Sequence, residues 1–244
     1  MTKLKGLLLT EGMHGMLSQV EGLAKALDID YTHHKVELNN FWKLIPPKFT
    51  PVSNFTFNSV DSKDFDIIIS CGRKSVIPSI CLKKNSKKKI FNIHIQDPKV
   101  SLKNFDFIIA PEHDGLTGDN VILSKGSIHY LTNEEISKNN EYLFGRLNSK
   151  KEYLTLILGG PNKYYDYNEQ NIKNIFDKVK NLLEKNNLQA IIIPSMRTPK
   201  KVIDLSETYF GQDDLVIKDI DKKAYLSCLS LAKYIVVTCD STSM

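Results

Sequence analysis

The feature that most limits how this chain can fold is an alternation between short apolar runs and amphipathic stretches. Runs such as FDIIISCG and FDFIIAP are apolar almost throughout and end in turn residues. An apolar run of this kind is typical of a strand that is covered on both faces. The stretches between the runs place apolar residues at helical spacing, as Leu17, Val20, Leu23 and Leu27 do. Strands that alternate with helices predict parallel sheets covered by helices, an α/β fold.

This alternation occurs twice along the chain. A polar stretch that ends in NSKK separates the two series, and YLTLILGG begins the second. A chain of 244 residues is long enough for two domains. We therefore predict two Rossmann-like doubly wound domains, residues 1–148 and residues 149–244. The second series has four strands where a complete doubly wound domain usually has five or six, so we expect this domain to be truncated at its C-terminus.

Three local predictions follow from shorter patterns. HKVEL is predicted to be the second strand, and residues 133–147 are predicted to form one polar helix. In TPKKVIDLSETYF, Thr198 is predicted to be the N-cap of a helix, with Pro199 at the first helical position.

The charge of the chain limits its partners. The net charge is +5 at pH 7, which is mildly basic. Proteins that bind nucleic acid usually concentrate basic residues and interleave aromatic ones. The one dense basic run here, KKNSKKK at residues 83–89, follows a predicted helix, where cations are favoured by the helix dipole. We expect no nucleic-acid partner; an anionic small molecule or an anionic membrane surface fits the charge instead.

Cysteine usage and the apolar segments indicate the compartment. The four cysteines form no CxxC pair, which favours free thiols in a reducing environment. The N-terminal apolar stretch is shorter than a signal-peptide core, and no run approaches the length of a membrane span. We therefore expect a cytoplasmic protein, with a peripheral position on the inner face of the membrane as an alternative.

Ligands of parallel sheets bind beyond the carboxyl ends of the strands, so the residues that follow each strand are the candidates for chemistry. In the first half these are TEGMHG, IQDP and PEHDG, which contain His14, Asp97, His113 and Asp114. Histidine and carboxylate side chains can act as general bases near neutral pH. The structural alternative is that Asp97 only starts a turn before Pro98 and that the histidines are passive.

In the second half, the residues that follow the strands suit a phosphate or diphosphate. GGPN supplies Gly159 and Gly160, whose backbone a ligand can approach closely. A predicted helix N-terminus and DSTSM add hydroxyls, an acidic group and a guanidinium: Ser195, Arg197, Thr198, Asp240 and Ser241. The alternative for DSTSM is that Asp240 or Ser241 only caps a helix. The chain contains no GxGxxG fingerprint, no Ser-His-Asp order and no set of metal ligands.

Six stretches of the chain, taken in order, resemble the mitochondrial fission ELM-type family. They are LTEGMHGMLSQVEGLAKAL, IISCGRKSVIPSICLKK, IHIQDPKVSLKNFDFIIAPEHDGLTG, LILGGPNKYY, PSMRTP and VVTCDSTSM. Bacterial members of this family are labelled nucleoside-diphosphate-sugar epimerase-like, and the family resembles GT-B glycosyltransferases. The resemblance implies two Rossmann-like domains that face each other across a cleft, with a nucleotide-sugar held mainly by the second. Two motifs depart from the family pattern. The first loop reads EGMHG, and Met196 replaces one of two basic residues, which implies weaker contact with a diphosphate.

The resemblance implies a nucleotide-sugar-dependent glycosyltransferase. Asp97, His113, Asp114 or His14 would activate the acceptor, and the residues named for the second half would hold a nucleoside-diphosphate sugar as donor substrate. We expect neither a metal nor a separate cofactor, and a membrane-anchored glycolipid is one acceptor that fits the charge. Two alternatives stay open: an epimerase or hydrolase acting on nucleoside-diphosphate sugars, and a non-catalytic adaptor on a membrane surface.

Overall fold

The computed structural model describes residues 3–60, 64–162 and 165–238. The chain divides into two compact units, Met1–Tyr130 and Leu131–Met244. Each unit contains one sheet whose strands are all parallel, as the alternation in the sequence predicts.

The first unit is a six-stranded parallel sheet with the order β2-β1-β3-β4-β5-β6. The strands are β1 (Lys5–Thr10), β2 (Asp30–Lys35), β3 (Ile67–Cys71), β4 (Phe91–Ile95), β5 (Phe107–Pro111) and β6 (Val121–Ser124). Two helices cover it, α1 (His14–Ala26) and α2 (Val76–Asn85). Successive residues of β1 enter different cores: Leu8 packs with Val20 of α1, whereas Leu7 and Leu9 pack with Cys81 of α2. Because both faces are covered, the strands read as nearly continuous apolar runs.

The second unit has a four-stranded parallel sheet with the order β10-β7-β8-β9. Its strands are β7 (Glu152–Leu158), β8 (Leu188–Pro194), β9 (Leu215–Val216) and β10 (Ala232–Val237). Its helices are α3 (Asn133–Ser137), α4 (Glu169–Asn186), α5 (Lys200–Phe210) and α6 (Lys222–Leu231). Phe176 of α4 and Phe210 of α5 meet edge to face at 5.1 Å, and Cys228 of α6 packs against Ile157 on the other face. This sheet is therefore also covered on both sides.

Residues 131–148, which the sequence assigned to the first domain, pack within the second unit. The ammonium of Lys222 contacts Glu135 at 2.9 Å, and the Tyr142 hydroxyl donates to Asp221 at 2.7 Å. Leu143 is fully buried in the core beside α6. The structure thus divides the chain at residue 130, because the contacts of this segment are with α6.

Two of the local predictions were wrong. The second strand is Asp30–Lys35 rather than HKVEL, since it pairs with β1 from Lys5↔Asp30 to Thr10↔Lys35. It is an edge strand with half-exposed polar residues, so a search for apolar runs misses it. The helix predicted over residues 133–147 is instead the short helix α3, followed by a 3-10 segment, Asn140–Arg146. None of the helices in the described part of the chain combines the length and hydrophobicity that a transmembrane segment requires.

Candidate functional site

Each sheet has one place where its strand order reverses. In the first unit, β1 is followed in sequence by β2 on one side and by β3 on the other. In the second unit, β8 and β10 lie on opposite sides of β7. Open parallel sheets bind ligands at such reversal points, outside the carboxyl ends of the strands. The ends of β7 and β10, and those of β1 and β3, are therefore the positions to inspect.

The two glycines after β7 meet the loop after β8 through backbone contact. A Cβ atom added to Gly160 would lie 2.1 Å from the carbonyl oxygen of Arg197 and 2.6 Å from the Cβ of Arg197. No side chain fits at that distance. Gly160 therefore allows the two loops to touch and lies against Arg197. Gly159 and Gly160 are both buried, so the space beside Gly160, which we had predicted a ligand would approach, is filled by the loop after β8.

The hydroxyl of Thr198 ties these two loops together. Thr198 Oγ1 lies 2.8 Å from the carbonyl oxygen of Leu158 and 2.7 Å from that of Gly159, and it accepts from the amide of Ser195 at 2.9 Å. Thr198 does not cap α5, so that prediction was wrong. The helix begins at Lys200, and its N-cap is Pro199, which has no side-chain hydrogen bond to the helix. Bonding to the end of β7 keeps the threonine away from the capping position.

The N-terminus of α5 is basic. Arg197, Lys200 and Lys201 are all exposed there, and the first turn carries no acidic residue. The first amides of a helix have no partner within the helix and carry a partial positive charge. Amides, a guanidinium and two ammonium groups at one helix end suit a phosphate or diphosphate.

Two residues of this site escaped the sequence analysis, Thr238 and Tyr167. Thr238 follows β10 directly, and its Oγ1 accepts from the amide of Gly159 at 2.8 Å and from the Tyr167 hydroxyl at 2.9 Å. Both side chains are buried. The search began at the polar residues after Thr238; starting one position earlier would have included it. Asp240 and Ser241 lie outside the described residues.

Replacing Thr238 by valine should destabilise the second unit by about 1–3 kcal/mol, because the buried amide of Gly159 loses its acceptor while the side-chain shape is kept. Urea unfolding of the whole chain measures this difference. Tyr167→Phe is the matched control, since it removes one hydroxyl from the same chain of hydrogen bonds without touching Gly159. A Thr238→Val protein as stable as wild type would show that this amide bond adds nothing.

In the first unit, Asp97 is bound by its neighbour Lys99. The Asp97 carboxylate accepts from the Lys99 backbone amide at 2.8 Å and from its ammonium at 2.5 Å. Burial acts to raise the pKa of Asp97, but the hydrogen bonds and charge of Lys99 outweigh it, so the pKa lies below its usual range. Asp97 is therefore ionised at neutral pH, which makes it a firm hydrogen-bond acceptor and a weak base.

His113 and Asp114 lie in the loop after β5, beside this pair. The His113 Nε2 is 3.7 Å from Asp114 Oδ1, and the His113 side chain is 74% exposed. The pKa of Lys99 is raised, chiefly by its hydrogen bond to Asp97 and in smaller part by the charge of Asp114. The ends of β4 and β5 thus bring together three of the predicted residues around Lys99.

His14 lies elsewhere on the same edge. It is the first residue of α1, after the loop that follows β1, and β3 separates β1 from β4 in the sheet. In that loop the Glu11 carboxylate contacts the Lys74 ammonium at 2.6 Å and the Lys74 amide at 3.2 Å, joining the ends of β1 and β3. The sequence analysis had singled out the EGMHG loop but not the role of Glu11. Among the described residues, no three His, Cys, Asp or Glu side chains form a group that would hold a metal ion.

Comparison with protein families finds one match over most of the chain. The model described as "Mitochondrial fission ELM1" matches residues 14–244. Uncharacterized protein RP120 of Rickettsia prowazekii is 28% identical over 273 aligned positions, which cover 94% of this chain and 76% of that protein. Mitochondrial fission protein ELM1 of Arabidopsis thaliana is 24% identical over 73% of this chain. The match spans about half (48%) of the plant protein.

Comparison with solved structures identifies the fold. UDP-GlcNAc 2-epimerase from Methanocaldococcus jannaschii superimposes with a TM-score of 0.59 at 16% identity, covering 97% of this chain and 78% of that one. UDP-GlcNAc 2-epimerase from Neisseria meningitidis bound to UDP-GlcNAc gives 0.52 at 12% identity, covering 97% and 77%. These likenesses confirm the predicted α/β, GT-B-like fold with Rossmann-like units.

Proposed function

The chain belongs to the mitochondrial fission ELM1 family, and from this premise we propose that it is a glycosyltransferase that uses a nucleoside-diphosphate sugar. The donor would bind at the carboxyl edge of β7, β8 and β10. The observation that carries this proposal is the contact between Gly160 and Arg197 beside the basic N-terminus of α5, in the loops that follow β7 and β8.

Support for a nucleotide-sugar comes from chemistry and from structural likeness. Gly159 and Gly160 are buried and hold the loop after β8 against the end of β7, and the N-terminus of α5 presents amides with Arg197 and Lys200 to a diphosphate. Structural neighbours of the same fold are described as complexes with UDP-GlcNAc and UDP. A donor of this class fits the positive charge of the edge.

In the proposed reaction, an acceptor hydroxyl attacks the anomeric carbon of the sugar. The new C–O bond forms as the bond to the diphosphate breaks, and the acceptor proton passes to a base. Arg197 and the α5 amides would stabilise the charge that develops on the leaving diphosphate. Among the candidate bases of the first unit, His113, with Asp114 nearby, suits this role better than Asp97, which Lys99 holds as a weak base. His14 remains a candidate by its position at the start of α1.

One observation favours a second candidate, an epimerase. Several solved structures of this fold are UDP-GlcNAc 2-epimerases. Incubation of the protein with UDP-GlcNAc alone separates the two reactions. Conversion of the sugar without an acceptor would favour the epimerase, whereas turnover that depends on an added acceptor supports glycosyl transfer.

Arg197→Ala should weaken UDP-GlcNAc binding by about tenfold or more, since a charge-assisted bond to a diphosphate oxygen contributes about 1.5–3 kcal/mol. Isothermal titration calorimetry measures the dissociation constant. Arg197→Lys should bind with intermediate affinity, because it keeps the charge and loses the planar fork. Lys185→Ala, in the last turn of α4, is the matched control for loss of one positive charge. If Arg197→Ala and Lys185→Ala bind alike, the donor site is not at α5.

A further inference from the structure

A segment of the first unit, between β2 and β3, exposes large apolar side chains. Phe41 is 65% exposed, Leu44 81%, Phe49 70% and Phe55 59%. We call residues 41–55 the aromatic segment. Single exposed apolar residues are common on protein surfaces, but a group concentrated in one short segment marks an interaction site.

The aromatic segment is fixed to the rest of the first unit by backbone pairing and by packing. Its two ends are joined by an antiparallel bridge between Leu38 and Phe57, and the amide of Asn39 donates to the carbonyl of Thr56 at 3.0 Å. Trp42 packs against the buried core that contains Leu38 and Phe57. The exposed apolar side chains are therefore carried by a segment whose ends and Trp42 are fixed to the first unit.

Aromatic contacts connect the half-buried Trp42 with exposed rings of the same segment. The rings of Phe41 and Trp42 meet at 4.9 Å, and those of Trp42 and Phe55 lie 6.0 Å apart. Exposed Phe41 and Phe55 thus flank one half-buried indole.

The charged side chains within the aromatic segment have one sign. Between Glu37 and Asp61 the sequence contains Lys43 and Lys48 and no carboxylate. The guanidinium of Arg73 donates to the carbonyl of Lys43, which adds a third cation, and the Lys48 ammonium lies 5.9 Å from the Phe49 ring. Apolar side chains and cations in a segment that contains no carboxylate form a surface complementary to an anionic one.

The basic run at residues 83–89 begins beside the aromatic segment. The side-chain oxygen of Asn54 accepts hydrogen bonds from two residues of α2, the side-chain amide of Asn85 at 3.3 Å and the thiol of Cys81 at 3.1 Å. Two lysines of the run are paired, Lys83 with Asp106 and Lys88 with Asp66. Within the described ranges Lys84 and Lys87 form no ion pair, so the positive charge extends past the end of α2.

We propose that the aromatic segment docks the protein on an anionic lipid bilayer, with Phe41, Leu44 and Phe49 inserted at the level of the headgroups. Phenylalanine, tryptophan and leucine next to lysine are typical of interfacial membrane contacts. Protein–protein interfaces are depleted in lysine, so this composition favours lipid over a protein partner. The docking rests on the surface of the first unit alone and does not require the donor site.

The sole tryptophan of the chain provides a direct test, because Trp42 lies within the aromatic segment. Vesicles of phosphatidylcholine with phosphatidylglycerol, carrying brominated acyl chains, should quench its fluorescence. Vesicles of phosphatidylcholine alone should quench it much less. Added salt should reverse the quenching, since the attraction to anionic lipid is screened.

Two sets of variants separate the apolar and the charged contributions. Leu44→Ser with Phe49→Ser should weaken binding to the anionic vesicles about tenfold or more. Lys43→Glu with Lys48→Glu should remove the preference for anionic vesicles, at about fivefold in affinity for each lysine lost. Leu182→Ser with Ile220→Ser, two exposed apolar residues of the second unit, is the matched control and should bind as wild type does. Circular dichroism verifies that each variant is folded.

Two outcomes would overturn the proposal. One is that Trp42 is not quenched by vesicles of either composition. The other is quenching that persists unchanged in both variant sets. If sedimentation shows a wild-type dimer that Leu44→Ser with Phe49→Ser dissociates, while no vesicles bind, the surface pairs two copies of the chain and the lipid proposal is wrong.

Discussion

Gly160→Ala should destabilise the second unit by about 2–3 kcal/mol and lower its melting temperature by about 5–10 °C. The added methyl carbon would lie 2.1 Å from the Arg197 carbonyl oxygen and 2.5 Å from the Arg197 carbonyl carbon. These are backbone atoms, so no side-chain rotation relieves the overlap, and the loops after β7 and β8 must separate. Thermal unfolding followed by circular dichroism measures the change.

The same substitution should also weaken UDP-GlcNAc binding, because separating the loops moves Arg197 and the start of α5 away from Gly159. Gly145→Ala is the matched control within the second unit, since an added Cβ there meets nothing within 4 Å. It should change neither stability nor binding. A Gly160→Ala protein that melts with wild type would contradict the close contact; one that is destabilised but binds normally would place the donor elsewhere.

The predicted sheets were confirmed where strands are buried on both faces. β3 and β8 are buried along their whole length, so their apolar runs carry a strong local signal. The edge strand β2 was missed because its residues are half-exposed and its pairing with β1 is a long-range contact. The prediction thus succeeded where burial alone decides the structure.

In the candidate site, too, local sequence signals identified residues but not the contacts they make with residues distant in sequence. The carboxyl-edge rule placed Gly159, Ser195 and Thr198 at one edge, and the structure joins them through the Thr198 hydroxyl. The capping prediction for Thr198 was wrong because the competing partners are carbonyls at the end of β7, about 40 residues away in sequence. The bond from Tyr167 to Thr238 spans 71 residues and has no local pattern that would predict it.

The roles of the acidic residues also depend on contacts that residue type alone does not give. Asp97 was predicted as a base from its position after β4. Its weakness as a base follows from the geometry of Lys99, whose backbone has a φ of 56° that brings the amide and the ammonium onto the carboxylate. His94 lies within β4 and is not among the candidate bases. Its burial nevertheless gives it a large expected effect on pH-dependent stability.

His94 should make the protein progressively less stable as the pH falls below about 6.5. It is 1% exposed in β4, shares a hydrogen bond with the Ser70 hydroxyl at 2.8 Å, and stacks near Phe105 at 5.2 Å. Burial lowers its pKa to about 3, and the charge of Asp97 opposes this only in part. Above pH 6.5 the imidazole is neutral in both states, so its stability contribution is fully present. Below that pH the unfolded chain takes up a proton that the folded chain refuses until about pH 3.

The free energy of unfolding should therefore fall by up to about 1.4 kcal/mol per pH unit, or about 2–3 kcal/mol between pH 6.5 and pH 4.5, through His94 alone. Urea unfolding at several pH values gives the slope. His94→Gln does not titrate, and its stability should depend less on pH by this amount even if its absolute stability is lower. The exposed His129→Gln, which also removes one imidazole, is the matched control. Equal slopes for His94→Gln and wild type would mean that water or a local opening lets the buried imidazole become protonated in the folded protein.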